Sequence, residues 1–363
     1  MPKIIVYGAS GFVGSAVLRH LAGHPDVEVA AARMPRLRTA ARDVPGILAE
    51  TAPVSFDDND GLVAGADVVV NAAGLADATG ADEDALTGAN ALAPAAAVRH
   101  AARAGAKRFV HISSTAVQGR TAVLDESARH EPFSPYSRSK ALGEQAVLAA
   151  GGLPVVVYRP PSVHGAGRAV TARLAALARS RLSSVAGDGR APSPQALAGN
   201  VAAAVAQLCL GPLPAQPVVL HPWEGLTAAD VLELLGAGHR PRHIPVPVAR
   251  GLLALGRAAG GWQPRVAAQV RRAELMWFGQ AQEPGWLARQ GWQPPEGRES
   301  WRALGELQRT AAAGPGRTGH EPGGGRTGHE PGGGRTGHEP GGRRTDHEPG
   351  GAQRTGTIAG SVK

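Results

Sequence analysis

The 363-residue sequence predicts an α/β protein: a doubly wound parallel sheet, then a smaller C-terminal lobe and a disordered tail. Short apolar runs alternate with Ala/Leu-rich helical stretches through about residue 165. A glycine-spaced loop, Gly8-Ala9-Ser10-Gly11-Phe12-Val13-Gly14, joins the first strand to the first helix. A nine-residue repeat with almost no apolar side chains fills the C-terminus.

The apolar runs place strands at 3–7, 27–32, 67–71, 107–112 and 154–158, with helices at 12–21, 84–104 and 135–149 spaced for right-handed crossovers. Beyond residue 165 the alternation decays into proline-rich connections, a helix near 196–210 and a segment carrying Trp262, Trp277, Trp286 and Trp292. This divides the chain into a dinucleotide-binding domain over 1–165, a substrate lobe over 166–310 that is free to return a strand to the sheet, and a tail over 311–363. The two lobes are expected to enclose a cleft. In the tail, Arg-Thr-(Gly/Asp)-His-Glu-Pro-Gly-Gly recurs from Arg317, Arg326, Arg335 and Arg344. Such a composition buries too little surface to offset the entropy of ordering. Its histidines, His320, His329, His338 and His347, offer weak metal capture but no closed site, and no metal centre is expected.

The single cysteine, Cys209, excludes an internal disulfide and fits a reducing compartment, so a cytoplasmic location is expected. The N-terminus enters a strand without the layout of a secretory signal. Prolines break the uncharged stretch 191–223 before it reaches membrane-spanning length, and no membrane partner is expected. The formal charge of +8 comes without a basic stripe interleaved with aromatics, which argues against nucleic acid and for an anionic cofactor or substrate.

The glycine loop suits a dinucleotide pyrophosphate, because helix N-terminal N–H groups attract anions and absent side chains let phosphates approach. The cofactor candidates there are Gly8, Ser10, Gly11, Phe12, Val13 and Gly14. The second strand ends at Arg33 where an NAD site offers a carboxylate; Arg33, with Arg36 and Arg38 behind it, favours a 2′-phosphate, hence NADP(H) over NAD(H). Downstream, Tyr136 and Lys140 stand four residues apart on one helical face, after Ser134 as N-cap and Pro135 in the first turn. A nearby ammonium favours the phenolate and brings a tyrosine toward acid/base work. Ser114, at the end of the 107–112 strand, can hydrogen-bond a substrate oxygen, with Ser113 and Thr115 as alternatives.

These motifs, with Asn71-Ala72-Ala73-Gly74, Asn90, His111 through Gly119, Asp125-Glu126-Ser127, Glu144 and Arg159 through Gly165, resemble the extended short-chain dehydrogenase/reductase (NAD-dependent epimerase/dehydratase) family over roughly 3–305. The resemblance implies a Rossmann-type fold and a catalytic set of Ser114, Tyr136 and Lys140. It places Ala72, Ala73, Gly74, Tyr136, Lys140 and Pro160 at the cofactor, Asp57 at its adenine, and Ser114 and Ser162 at the substrate. Ser162 stands where sugar epimerases often carry Asn. The resemblance further implies a homodimer through long helices and hydride exchange at a nucleotide-activated sugar, as a 4-ketoreductase or an epimerase. Gln290-Gly291-Trp292-Gln293-Pro294 matches a Gly-Trp-x-Pro element of such enzymes. A steroid- or flavonoid-type ketone reductase and a catalytically silent dinucleotide sensor are the alternatives, the second disfavoured by the survival of both Tyr136 and Lys140.

Overall fold

The computed structural model describes residues 1–76, 82–260 and 264–313. In chain order the first half contains β1 (Lys3–Tyr7), α1 (Phe12–Ala22), β2 (Glu28–Ala32), α2 (Val44–Ala49), α3 (Asp60–Val63), β3 (Val68–Asn71), α4 (Glu83–Thr87), α5 (Ala93–Arg103), β4 (Arg108–Ile112), β5 (Val123–Leu124), α6 (Pro135–Ala150) and β6 (Val155–Arg159). The second half adds β7 (Ser162–His164), α7 (Ala169–Ala178), β8 (Ser184–Ala186), β9 (Gln195–Leu197), α8 (Ala198–Leu210), β10 (Val218–Leu220), α9 (Ala228–Leu235), β11 (Arg242–Ile244), α10 (Val246–Gly260), α11 (Pro264–Phe278), β12 (Ala281–Gln282), α12 (Trp286–Arg289) and α13 (Arg298–Ala313).

Six strands form one parallel sheet in the order β10-β6-β4-β3-β1-β2. From β1 the chain first moves outward to β2 and then returns to β3 on the other side. The crevice at the C-terminal ends of β1 and β3 is therefore the topological switch point where such sheets place ligands. Both faces are covered. Ile4 and Val6 point into a core with Val17 and Leu21 of α1 and Val201 and Val205 of α8. Their neighbours Ile5 and Tyr7 point the opposite way, onto Ala97, Val98 and Ala101 of α5 and Val147 of α6. This two-sided burial explains why the strands read as continuous apolar runs rather than alternating ones. Each buried Ile or Val contributes about 1.5–3 kcal/mol.

The helix expected over 84–104 is interrupted. A π-turn over Gly88–Leu92 separates α4 from α5, and Pro94 stands in the first turn of α5. Proline supplies no backbone donor, so the ladder restarts there. The inserted turn lets Asn90 reach sideways: its amide donates to the Leu75 carbonyl and the Ser139 hydroxyl, both at 3.0 Å, and accepts from Leu75 N. Part of the α5–α6 pair is covered by α2. Ile47 packs there against Ala91, Leu92, Ala95 and Ala146.

Residues 166–310 return one strand to the sheet, since β10 extends it beside β6, and α8 packs on α1. Short parallel pairs β7–β9, β8–β11 and β5–β12 join the rest. Helix α13 runs to Ala313, two residues past the expected start of disorder, because Trp301 and Leu304 bury against Leu234 and Leu235 of α9. The repeats from Arg317 onward, and Trp262, lie outside the described residues. Among the described residues no helix is long and apolar enough to cross a membrane, and no cluster of three metal-ligating side chains occurs.

Candidate active site

The glycine loop forms a cradle at the end of β1. Gly8 has φ +78°, and a Cβ there would lie 2.4 Å from Ala73 N. A Cβ on Gly14 would lie 2.1 Å from the Gly8 carbonyl oxygen, so α1 can begin this close to the strand only with glycine at that position. Gly11, the N-cap, supplies no side-chain acceptor, and no acid stands in the first turn. The first N–H groups of α1 thus lack a side-chain cap, and an anion fits in its place. Ser10 and Gly11 are exposed, while Phe12 and Val13 are half-buried behind them. This donor set fits the pyrophosphate of a dinucleotide.

Arg33 is exposed just beyond β2, and Asn59 clamps its backbone: Arg33 N donates to Asn59 Oδ1 at 3.2 Å, and Asn59 Nδ2 donates to the Arg33 carbonyl at 2.9 Å. Arg36 is exposed beside it, whereas Arg38 pairs with Asp82 at 2.9 Å. Asp57 opens a 3-10 turn over Asp57–Asn59. The side-chain contact with adenine expected of it lies outside what is described.

The third component is the set of strand ends facing α6. Asn71 accepts from Ala73 N through Oδ1 and donates to His111 Nδ1, which shapes the Ala72-Ala73-Gly74 turn. Burial, aided by the charge of Lys140 and opposed by that of Glu144, lowers His111 to about 3, so the ring is neutral; its Nε2 has no partner. At the end of β4 the two serines diverge. Ser113 donates inward to Glu144, while Ser114 stands beside the phenol of Tyr136, favouring its phenolate, and caps the following turn by accepting from Ala116 N at 3.2 Å. The geometry thereby selects Ser114 over Ser113 as the serine beside Tyr136.

Ser134 caps α6 in a reciprocal capping box with Ser137, and Pro135 begins the helix, which fixes Tyr136 in its first turn. Lys140, one turn on, is buried and donates to the Ile112 carbonyl at 2.9 Å. A Cβ on Gly74 would be 3.4 Å from its Nζ, so the ammonium lies against the end of β3. Desolvation lowers Lys140 to about 8, with Glu144 opposing. Desolvation raises Tyr136 above its ordinary value, opposed by the Ser114 hydrogen bond and then by the charge of Arg168.

Behind these residues Glu144 and Arg159 form a fully buried ion pair at 2.6 Å. Burial alone would raise the Glu144 carboxyl, but hydrogen bonds from His130, Arg159 and Ser113 and the charge of Arg159 outweigh it and hold it at about 2. Arg159 also donates to the Ser127 carbonyl at 2.9 Å. The network ties α6, β4 and β6 together beneath the Ser–Tyr–Lys set. Pro160, next along, is buried, and its carbonyl accepts from Thr115 N at 3.0 Å. Ser162 is exposed, with its hydroxyl 3.1 Å from Nε2 of the buried His164.

Sequence reasoning passed over Arg168. Its guanidinium lies 4.8 Å from the Phe12 ring centroid, donates to the Val163 carbonyl at 2.6 Å and acts electrostatically on Tyr136. It thus brings positive charge between the glycine loop and the phenol. The only signal was an arginine following Gly165-Ala166-Gly167. Asn59 was missed as well, because its partner is 26 positions away.

Three solved structures illustrate the likeness of fold. The UDP-glucuronic acid 4-epimerase of Bacillus cereus, in complex with NAD, has a TM-score of 0.59 at 16% identity, covering 85% of this chain and 99% of that one. The UDP-glucose 4-epimerase of Thermus thermophilus, also with NAD, has a TM-score of 0.57 at 21% identity and the same coverage. The dTDP-4-dehydrorhamnose reductase of Bacillus anthracis, in complex with NADP, has a TM-score of 0.54 at 17% identity, covering 84% of this chain and 98% of that one. No curated protein sequence matches. The model of the NAD-dependent epimerase/dehydratase family, however, matches residues 4–208, which contain the glycine loop, Ser114, Tyr136 and Lys140. By that match the chain belongs to the NAD-dependent epimerase/dehydratase family, a family of NAD(P)-dependent enzymes.

Proposed function

We propose that this chain is an NADP(H)-preferring oxidoreductase or epimerase acting at a sugar carbon of a nucleotide-activated sugar, with Tyr136, Ser114 and Lys140 as its catalytic set. The observation that carries the reading is the convergence of Ser114 and Tyr136 beside buried Lys140, at the strand ends next to the glycine cradle. When bound, the dinucleotide supplies or accepts the hydride. Tyr136 transfers a proton to or from the reacting oxygen, and Ser114 donates a hydrogen bond to that oxygen. Lys140 holds positive charge at the end of β3, where it contacts the cofactor ribose and favours the phenolate. Gly8, Gly11, Gly14 and the first turn of α1 hold the pyrophosphate, with Ala72, Ala73, Gly74 and Pro160 lining the dinucleotide path. Ser162 contacts the substrate.

Arg33 supports NADP(H): it stands where a ribose-binding carboxylate would otherwise be and is the end of β2 that Asn59 secures. That tilts the reading toward net reduction, because a reductase exchanges its cofactor while an epimerase reuses it. Three of the tryptophans, on which a larger steroid- or flavonoid-type substrate would draw, are used in packing. Trp301 is buried and donates to Glu224 at 2.9 Å, and Trp286 and Trp292 pack on the main core.

The test is oxidation of NADPH and of NADH with a panel of nucleotide 4-keto-sugars and apolar ketones, with Tyr136→Phe beside the wild type. Turnover of the keto-sugars with NADPH, lost in the variant, is the expected result. Full turnover by Tyr136→Phe would remove the acid/base assignment. Turnover of apolar ketones alone would remove the substrate class, and a preference for NADH would remove the cofactor assignment.

A further inference from the structure

Residues two apart on a strand project from one face, and on β7 such a pair divides between surface and interior. Ser162 is exposed, whereas His164 is fully buried. Strand β9 runs parallel beside them with Gln195 opposite Ser162. The imidazole is held at both ends. Its Nδ1 lies 3.2 Å from Thr171 Oγ1, and its Nε2 lies 2.8 Å from Gln195 Oε1 and 3.1 Å from Ser162 Oγ. Its ring packs 5.4 Å from that of Trp301.

Burial lowers this histidine to about 4, with the Gln195 hydrogen bond opposing and the charge of Arg168 adding, so at neutral pH the ring carries one proton. Its partners decide which nitrogen holds that proton. The amide oxygen of Gln195 can only accept, and the amide nitrogen is turned away to Ser193 Oγ at 3.4 Å. At the other end Thr171 Oγ1 accepts from Gly165 N at 3.2 Å, which leaves its own proton for Nδ1. Both ends therefore require the proton on Nε2. It is shared between Gln195 and Ser162, so the serine oxygen accepts from inside and its hydroxyl proton is left to point outward.

We propose that His164, as its Nε2–H tautomer, is a positioning residue that makes the Ser162 hydroxyl a hydrogen-bond donor toward the substrate, so that this point of the site selects an acceptor oxygen. A sugar hydroxyl or carbonyl oxygen meets that requirement; an ammonium group, which only donates, does not. The inference rests on the reading that Ser162 contacts the sugar.

The tautomer is read without turnover, by long-range 1H–15N correlation on the full chain labelled at histidine. The signal is assigned by its loss in His164→Gln or its displacement in Gln195→Leu. A neutral ring with protonated Nε2 and bare Nδ1 is expected at pH 7. A proton on Nδ1, or a charged ring, overturns the proposal and leaves the Tyr136 assignment standing. The consequence is read in the kinetics of the nucleotide keto-sugar turned over with NADPH. Ser162→Ala and Gln195→Leu should each raise KM by about tenfold, the worth of one hydrogen bond, with a smaller effect on kcat. Combined, they should raise it no further than Ser162→Ala alone, because Gln195 acts through the hydroxyl. A KM unmoved by Ser162→Ala removes the contact with substrate, and additive effects in the double variant show Gln195 to be structural only; either result overturns the proposal. If no nucleotide keto-sugar is turned over, the underlying reading fails and the selection with it, even where the ring shows the expected tautomer.

Discussion

The Lys140 ammonium donates to the carbonyl of Ile112 at 2.9 Å, so the lysine one turn beyond Tyr136 is anchored to the end of β4 and pressed against the end of β3. Burial brings its pKa down to about 8. Below that pH the ammonium is present, and as pH rises through about 8 it loses its charge and the site its cation. Cofactor affinity and turnover should therefore fall on the alkaline side of about pH 8, a limb that Lys140→Met should lack along with most of the activity. The same titration does not unfold the chain. A lysine that loses its proton earlier in the folded than in the unfolded state makes stability rise, not fall, between about 8 and 10.5. A melting temperature that dropped in step with activity would contradict this.

The divergence of Ser113 and Ser114 predicts opposite phenotypes. Ser114→Ala should lower kcat by about 10- to 100-fold through loss of a donor to the reacting oxygen, with a stability loss of about 1 kcal/mol from the cap on Ala116 N. Ser113→Ala should leave kcat within about twofold but cost about 1–2 kcal/mol of stability, because it withdraws a donor from buried Glu144. Steady-state kinetics and denaturant unfolding, run on both variants, would expose a swapped assignment.

Arg33 and Asn59 form a pair whose effects should appear in cofactor choice alone. Arg33→Ala should weaken NADPH by about 10- to 100-fold, the worth of a charge-assisted phosphate contact, and leave NADH nearly unchanged. Asn59→Ala, which frees the Arg33 backbone, should act in the same direction by a smaller factor. Equal weakening of both cofactors in a fluorescence titration would mean that Arg33 does not meet a 2′-phosphate.

Glu144 governs acid stability. Its folded pKa of about 2 lies below the ordinary 4.5, so its contribution, about 3 kcal/mol, is complete above pH 4.5 and is lost as pH falls toward 2. Glu144→Gln should flatten that acid limb and cost about 3–5 kcal/mol at neutral pH, because Arg159 would remain buried without a counter-charge. An unaltered pH–stability curve in the variant would refute the role.

Wherever a signal is local, it could be read from the chain alone. The five main strands, the glycine loop and the capped start of α6 each depend on neighbours within about one turn or one strand. Their periodicity, turn chemistry and capping residues therefore predicted them to within a residue or two. The helix expected over 84–104 failed at Gly88–Leu92, because the π-turn exists to let Asn90 bond to Leu75 and Ser139, residues that no local pattern associates with it.

Composition and spacing by themselves determined the fold class, the dinucleotide cradle and the Tyr136–Lys140 helix face, since backbone sterics and helical geometry operate over a few residues. Only the tertiary structure decided which of two adjacent serines meets Tyr136, that Asn59 holds Arg33, and that Arg168 lies between Phe12 and Tyr136. Those outcomes depend on which distant segments share a desolvated space, where a single hydrogen bond or buried charge outweighs any local preference.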